Sequence, residues 1–333
     1  MKIKKALVLG SNSFSGNNFV NFLLNNKIKV VGISRSTEPN FIMSSYYQNK
    51  FKQKNFKFYK LDINKDLNKI LQITNSFKPD TIINYLAQGD VRHSWNNPTE
   101  WYQTNCMSIV NFTSELINTN FLKKYLSIST PEVYGSSNKY IYENSNFNPS
   151  TPYAGSKLAG DLHLTTLYKK YNFPVLFSRS SNVYGAYQQL YRIIPKTIIK
   201  VKLGQMIELH GKGRTRRDFI NINDVNSALF TILSKGNIGD SYNIANKNSL
   251  ISIYNLVKNI CKKLGVKNWK DQITLIDENF GQDNKYFLNT NKIRKLGWSE
   301  KITLESGIND TISWINKYWD KIEKMPHEYI HKQ

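Results

Sequence analysis

Tyr153 and Lys157 stand one helical turn apart in Tyr153-Ala-Gly-Ser-Lys157. In a helix this spacing puts both side chains on one face. An ammonium beside a phenol stabilises the phenolate and lowers the tyrosine pKa. The pair is then an acid/base able to take a proton from an alcohol near neutral pH. Just upstream, Ser129-Thr-Pro-Glu-Val-Tyr-Gly135 offers the Thr130 hydroxyl to hold the same alcohol, and the Glu132 carboxylate for a second proton transfer. A Tyr-x-x-x-Lys pair alone occurs by chance on many solvated helices, so its meaning depends on the elements around it.

Those elements begin with a short buried strand over residues 5–9, which runs into Gly10-Ser-Asn-Ser-Phe-Ser-Gly16 and then into a helix with apolar positions at Phe19, Val20, Leu23 and Leu24. Strand, Gly-rich turn and helix is the layout that sets a pyrophosphate on a helix N-terminus. Gly10 makes the tight turn and Gly16 permits close helix–strand packing, with Asn12, Ser13, Phe14 and Ser15 lining the turn between them. Ser13 occupies the place of a middle glycine, and its hydroxyl is available to a phosphate. An ordinary αβ loop is the alternative. The next strand, 29–33, ends in Ser34-Arg35-Ser36 with no acid to bind a ribose 2′-hydroxyl. An arginine there accommodates a 2′-phosphate, so NADP is favoured, with NAD as the alternative.

The alternation continues. Strands are expected over 56–61, ending at Asp62-Ile63; over 81–86, ending at Ala87-Gln88; over 124–129, ending at Thr130; and over 174–178. Helices are expected over 67–77, 100–118 and 153–171. Such alternation means right-handed βαβ units and a doubly wound parallel α/β sheet of the Rossmann type, whose ligands sit beyond the strand C-termini. Gly10, Ser34, Asp62, Ala87 and Thr130 all fall at those ends. Past Asn182 the pattern loosens, with helices expected over 193–201, 250–264 and 304–319, and strands over 218–223 and 241–245 returning to the sheet. The expected organisation is a dinucleotide-binding domain over 1–181, rejoined by 218–245, and a smaller C-terminal α/β substrate lobe formed by 182–217 and 246–333.

A chain of 333 residues can bury a sizeable core. Its two cysteines, Cys106 and Cys261, imply neither a disulfide framework nor a metal site. The apolar run after Lys2, Lys4 and Lys5 is too short for a signal sequence, and no stretch could span a bilayer, so a cytoplasmic location is expected. The net charge of +22 is spread along the chain. Only Arg214-Thr-Arg-Arg217 is compact, and guanidinium forks suit a diphosphate. No nucleic-acid-binding motif accompanies it, so a nucleic-acid partner is not expected.

Together these segments resemble the extended short-chain dehydrogenase/reductases, and among them the nucleotide-sugar 4,6-dehydratases. The resemblance runs through Gly10–Gly16, Asn84-Tyr-Leu-Ala-Gln88, Ser129–Gly135, Tyr153–Lys157, Ser181-Asn-Val-Tyr-Gly185, Arg217-Asp-Phe219 and Gly281-Gln-Asp-Asn-Lys-Tyr286. It implies a nucleotide-diphosphate sugar as substrate. Tyr153 would deprotonate the sugar 4-hydroxyl, with Thr130 hydrogen-bonded to it and Lys157 on the nicotinamide ribose. Hydride would leave C4, Glu132 would take the C5 proton, water would leave C6, and the hydride would return to C6. Asn182 and Arg217 would contact the diphosphate, with Asn243 as a further substrate contact. A homodimer through a four-helix bundle is implied as well.

Three positions depart from the family pattern. Pro131 stands where relatives acting on dTDP-glucose carry a proton-donating aspartate, Asn279 stands where relatives often place an arginine, and Ser13 replaces a glycine. A plain 4-epimerase needs only Thr130, Tyr153 and Lys157, and a decarboxylase of nucleotide-linked uronic acids can also carry a glutamate at position 132. A non-catalytic NADP-binding protein would have no use for an activated phenol.

Overall fold

The computed structural model describes residues 3–247, 249–277 and 286–329. Seven strands form one parallel sheet: β1 (Lys5–Leu9), β2 (Lys29–Ser34), β3 (Phe56–Lys60), β4 (Thr81–Asn84), β5 (Lys124–Ile128), β6 (Val175–Ser180) and β7 (Ser241–Ile244). Their spatial order is β7-β6-β5-β4-β1-β2-β3. The order reverses between β1 and β4, which opens a crevice beyond the C-terminal ends of these two strands.

Both faces of the sheet are covered, as its strand sequences require. Along β1, Ala6 and Val8 point into a core completed by Phe19, Leu23 and Leu24 of α1 (Phe14–Asn25) and by Val225, Leu229 and Ile232 of α6 (Ile222–Lys235). Leu7 and Leu9 point the other way, against Ile70 of α2 (Leu67–Phe77), Ile109 and Phe112 of α3 (residues 98–114), and Leu164 and Leu167 of α4 (Pro152–Tyr171). Successive residues of a strand face opposite sides, and with both sides buried the strands read as continuous apolar runs. A third core joins α5 (Ile193–Lys202), α7 (Ile253–Lys263) and α8 (Leu304–Lys317) through Ile194, Ile198, Leu256, Ile260, Ile308 and Trp314. It also takes in Ile42, whose carbonyl accepts the Trp314 indole N–H at 3.0 Å.

Several boundaries differ from the sequence expectation. Residues 219–221 do not rejoin the sheet: Phe219–Asn221 pairs in parallel with Asn182–Tyr184 as a separate ladder. The Asn221 side chain then accepts the Asn223 N–H at 2.9 Å, and this cap starts α6, a helix the sequence reading did not anticipate. The Asp224 carboxylate on its first turn accepts the N–H groups of Lys301 and Ile302 at 3.0 and 2.9 Å, pinning the later chain to this helix. β4 stops at Asn84 because Asn84 Oδ1 accepts the Leu86 N–H at 3.0 Å and closes a turn. α3 comprises Pro98–Tyr102 and Ser108–Ser114 joined by one π-helical stretch, Gln103–Met107. Residues 251–252 are not helical; Ile251–Ser252 pairs antiparallel with Arg216–Arg217 before α7 begins.

Candidate functional site

The end of β5 delivers Thr130, whose Oγ1 accepts the Glu132 N–H at 3.3 Å and caps a single 3₁₀ turn, Pro131–Tyr134. Pro131 suits the first position of that turn because its missing N–H has no partner there to lose. α4 begins beside it: Thr151 Oγ1 accepts the Ala154 N–H at 3.1 Å and Pro152 again takes the first position. This start places Tyr153 in the first turn, hydrogen-bonded to Thr130. Burial pushes the Tyr153 phenol well above its ordinary value and the Glu132 carboxylate adds to the rise, while the Thr130 hydrogen bond and the Arg192 guanidinium pull it down. Thr130, Glu132 and Tyr153 are therefore brought together.

Lys157 is buried one turn further along α4, and its Nζ donates to the Ile128 carbonyl of β5 at 2.9 Å. Burial lowers its own pKa. The expectation that Lys157 leaves Tyr153 with a depressed pKa is corrected accordingly. In the protein alone, desolvation outweighs every neighbouring cation, and the ammonium is committed to a backbone oxygen.

The Gly-rich turn is built for close approach. Gly10 has φ +75°, and a Cβ there would lie 2.8 Å from the Tyr85 carbonyl carbon. A Cβ on Gly16 would lie 2.4 Å from the Gly10 oxygen. Ser13 has an ordinary extended backbone and caps α1, its hydroxyl oxygen accepting the Gly16 N–H at 3.0 Å. That bond uses the oxygen as acceptor and leaves its proton to donate. It also explains why a glycine is not needed here. The amides of Phe14 and Ser15 open the helix, where no intrahelical acceptor exists for them. Ser11 Oγ and Asn12 Oδ1 of the Gly-rich turn are buried without a hydrogen-bond partner, polar atoms suited to a dinucleotide.

The other strand ends converge as expected. Ser34 is buried and its Oγ accepts the Asn12 N–H at 2.9 Å, while Asn12 Nδ2 donates to the carbonyls of Ser36 and Thr37 at 2.9 and 2.8 Å. Arg35 projects from this clamped loop and is exposed. Asp62 Oδ1 accepts the Asn64 N–H at 2.9 Å at the end of β3, and Ile63 is buried in the core beside it. Ala87 and Gln88 follow β4, and the Gln88 N–H donates to Asn105 Oδ1 at 2.8 Å.

On the lobe side, Asn182 lies on the short ladder with Phe219. Of the basic cluster only Arg217 turns inward; Arg214 and Arg216 are exposed. Arg217 is set by its neighbour Asp218, whose carboxylate accepts from Ser181 at 2.6 Å, the Asn246 N–H at 3.0 Å, Asn246 Nδ2 at 2.9 Å, and Ser249. Asn243 corrects the sequence reading. It is fully buried, with Nδ2 donating to the Ile141 carbonyl at 3.2 Å and Oδ1 accepting from the Tyr134 hydroxyl at 3.4 Å, so its side chain supports the site from below. Asn279 and residues 281–285 lie outside the described residues.

Five residues escaped the sequence reading. Arg192, at the start of α5, acts on Tyr153 from the opposite wall. Asn105 in the π-helical stretch ties Gln88 to Ser156 of α4, donating to Gln88 O at 3.1 Å and Ser156 Oγ at 3.0 Å. It interrupts the apolar stripe Trp101–Ile109–Phe112, a signal that was legible. Asp161 and Arg179 form an ion pair at 3.1 Å, almost wholly buried. Tyr329 reaches over from the end of the described chain, its ring 4.9 Å from His93 and 5.1 Å from Tyr191, and burial and the Asp90 carboxylate push its phenol up to about 12.

The family model for GDP-mannose 4,6 dehydratase matches residues 7–311. The chain belongs to that family. The dTDP-glucose 4,6-dehydratase of Haemophilus influenzae is 30% identical over 332 residues, covering 92% of this chain and 96% of that protein. A trifunctional UDP-glucose 4,6-dehydratase/UDP-4-keto-6-deoxy-D-glucose 3,5-epimerase/UDP-4-keto-L-rhamnose-reductase of Arabidopsis thaliana is 32% identical over 283 residues. That match covers 82% of this chain and 42% of the relative, so the chain spans less than half of that longer protein. Among solved structures, the dTDP-glucose 4,6-dehydratase of Bacillus anthracis in complex with NAD superposes with a TM-score of 0.84 at 27% identity, covering 96% of this chain and 98% of that one. No helix among the described residues is long and apolar enough to cross a membrane.

Proposed function

We propose that this chain is a nucleotide-sugar 4,6-dehydratase, converting a nucleotide-diphosphate hexose into its 4-keto-6-deoxy product. The observation that carries the reading is the placement of a second proton-transfer group beside the first: Thr130 caps the 3₁₀ turn that holds Glu132, and the Glu132 carboxylate raises the buried Tyr153 phenol. An epimerase has no use for the second. A bound nicotinamide dinucleotide supplies acceptance and return of the hydride, and a cation beside the phenol that favours its ionised form. Thr130 holds the C4 hydroxyl and Tyr153 removes its proton. Glu132 removes the C5 proton once C4 is a ketone. Pro131 has no proton to give, so Glu132, protonated by that step, returns the same proton to the departing C6 hydroxyl, which leaves as water; C5 then takes up a proton from solvent as the hydride returns to C6, balancing the one Tyr153 removed from the C4 hydroxyl. Arg192, Arg217 and Asn182 bind the diphosphate.

The cofactor is NADP in preference to NAD, because Ser34-Arg35-Ser36 at the end of β2 presents an arginine and no carboxylate, and Glu38 beyond it is held by Lys52 and Tyr46. The enzyme works in the cytoplasm as a homodimer. Its interface is the outer face of α3 and α4, which pack closely at Gly155 and Gly160 and leave Tyr102, Met107 and Leu162 exposed. The substrate lobe comprises residues 182–217 and 246–333. The test is incubation with dTDP-, GDP-, UDP- and CDP-hexoses, read by mass for loss of one water, with Tyr153→Phe as the inactive control. A product of unchanged mass and altered C4 configuration would establish the epimerase instead.

A further inference from the structure

Beneath the catalytic turn lies a polar cluster with no access to substrate. Asp161 follows Lys157 by one turn of α4, so Tyr153, Lys157 and Asp161 share a single stripe. The Asp161 carboxylate accepts from Ser129 Oγ at 2.5 Å, from Arg179 Nη2 at 3.1 Å and from Ser127 Oγ at 3.4 Å. Arg179 in turn donates from Nη1 to the Tyr134 hydroxyl at 2.8 Å and lies over the rings of Tyr134 and Phe147, 5.1 and 5.2 Å from their centres. Tyr134 continues to Asn243. The carboxylate thus touches the strand that carries Thr130, the helix that carries Tyr153, and the strand β6 beside them.

We propose that Asp161 is the positioning residue of the catalytic pair, tying the Ser129–Thr130 end of β5 to helix α4 at one buried point, one turn beyond Lys157. A buried ammonium is costly unless a counter-charge faces it. Tyr153 and Asp161 stand one turn either side of Lys157 on its own helix; Arg179 of β6 pairs with Asp161, and Glu132 and Arg192 act on Tyr153. Asp161 is the anion whose field favours the charged lysine. Arg179 takes one side of the carboxylate and so fixes its orientation toward Ser129. The inference rests on the proposed dehydratase reading for its catalytic meaning, but not for its physical test.

The titration part of that test uses the cofactor-free protein, and the kinetic part the protein with its dinucleotide bound. Lysine Cε and Nζ resonances followed against pH, with Lys157 assigned by its loss in Lys157→Arg, should show Lys157 titrating at distinctly lower pH in Asp161→Asn than in the parent. Because Asp161→Asn strands a buried guanidinium, the decisive variant is Asp161→Asn/Arg179→Met, which replaces that cation with an apolar chain. If Asp161 serves only to balance Arg179, the double variant recovers the parental Lys157 titration and parental kcat. If Asp161 positions the pair, the double variant folds but keeps the lowered Lys157 titration and loses kcat about 10- to 100-fold, the scale of a small misplacement of reacting groups, with KM little changed. Recovery of both would overturn the proposal. A parent protein that dehydrates no nucleotide sugar would overturn the functional reading and leave the titration result standing.

Discussion

Replacing Glu132 by glutamine should move two rates in opposite directions. The carboxylate pushes the Tyr153 phenol up, so the neutral amide lets it fall. A like charge nearby disfavours the ionised phenol, so its removal leaves more phenolate at any pH on the rising limb. The first oxidation should therefore begin at lower pH than in the parent. Proton removal from C5 loses its base and should slow by about 10²–10⁴-fold. Single-turnover absorbance of the reduced nicotinamide across a pH series reads the first effect; the mass of the nucleotide sugar reads the second. The variant should accumulate reduced cofactor with a 4-keto hexose that retains its water. Water loss at the parental rate, or a limb displaced toward higher pH, would refute the assignment of Glu132.

Gly16→Ala sets helix propensity, which favours alanine by about 1 kcal/mol, against a Cβ 2.4 Å from the Gly10 oxygen, an overpacking cost of about 1–3 kcal/mol. A lower urea midpoint and weaker dinucleotide binding are expected, and a more stable variant would count against the tight-turn geometry. Arg35→Asp should reverse the cofactor preference, costing NADP about 1–3 kcal/mol of binding by titration; equal affinity of the parent for NAD and NADP sinks this prediction. Leu162→Arg should convert a dimer into a folded monomer by light scattering at micromolar concentration, and a monomeric parent would show that the α3–α4 face is not the interface.

The sheet and its crevice were legible because both are written in local patterns. Buried parallel strands are short apolar runs, and Gly10, Thr130 and Tyr153 sit at fixed offsets from their ends. The missed parts depend on partners far along the chain. Arg179 looks like one more basic residue until Asp161 is placed beside it, and Asp218 becomes a hub only when Ser181 and Asn246 meet there. The strand over 219–221 has ordinary β character, and only its ladder with Asn182 shows that it leaves the main sheet. α6 was missed although Val225, Leu229 and Ile232 carry a helical period, because the strand reading ran into its first turn. Lys157 beside Tyr153 was correct in spacing. Its electrostatic effect was misjudged, since spacing says nothing about how much water the fold removes.

The indole of Trp314 meets the carbonyl of Ile42 across 272 residues of chain, and Asp224 waits for the amides of Lys301 and Ile302. On a ribosome adding about 5–20 residues per second, Ile42 emerges on the order of tens of seconds before the tryptophan that covers it. Late in that interval, once β6 and α5 have been made, the apolar side of α5 and the rim of Ile42 stand open over a sheet that lacks only its last strand or is complete. The yield of folded protein would then depend on how well the cell shields this half-built lobe during synthesis, more than on the equilibrium stability of the finished fold.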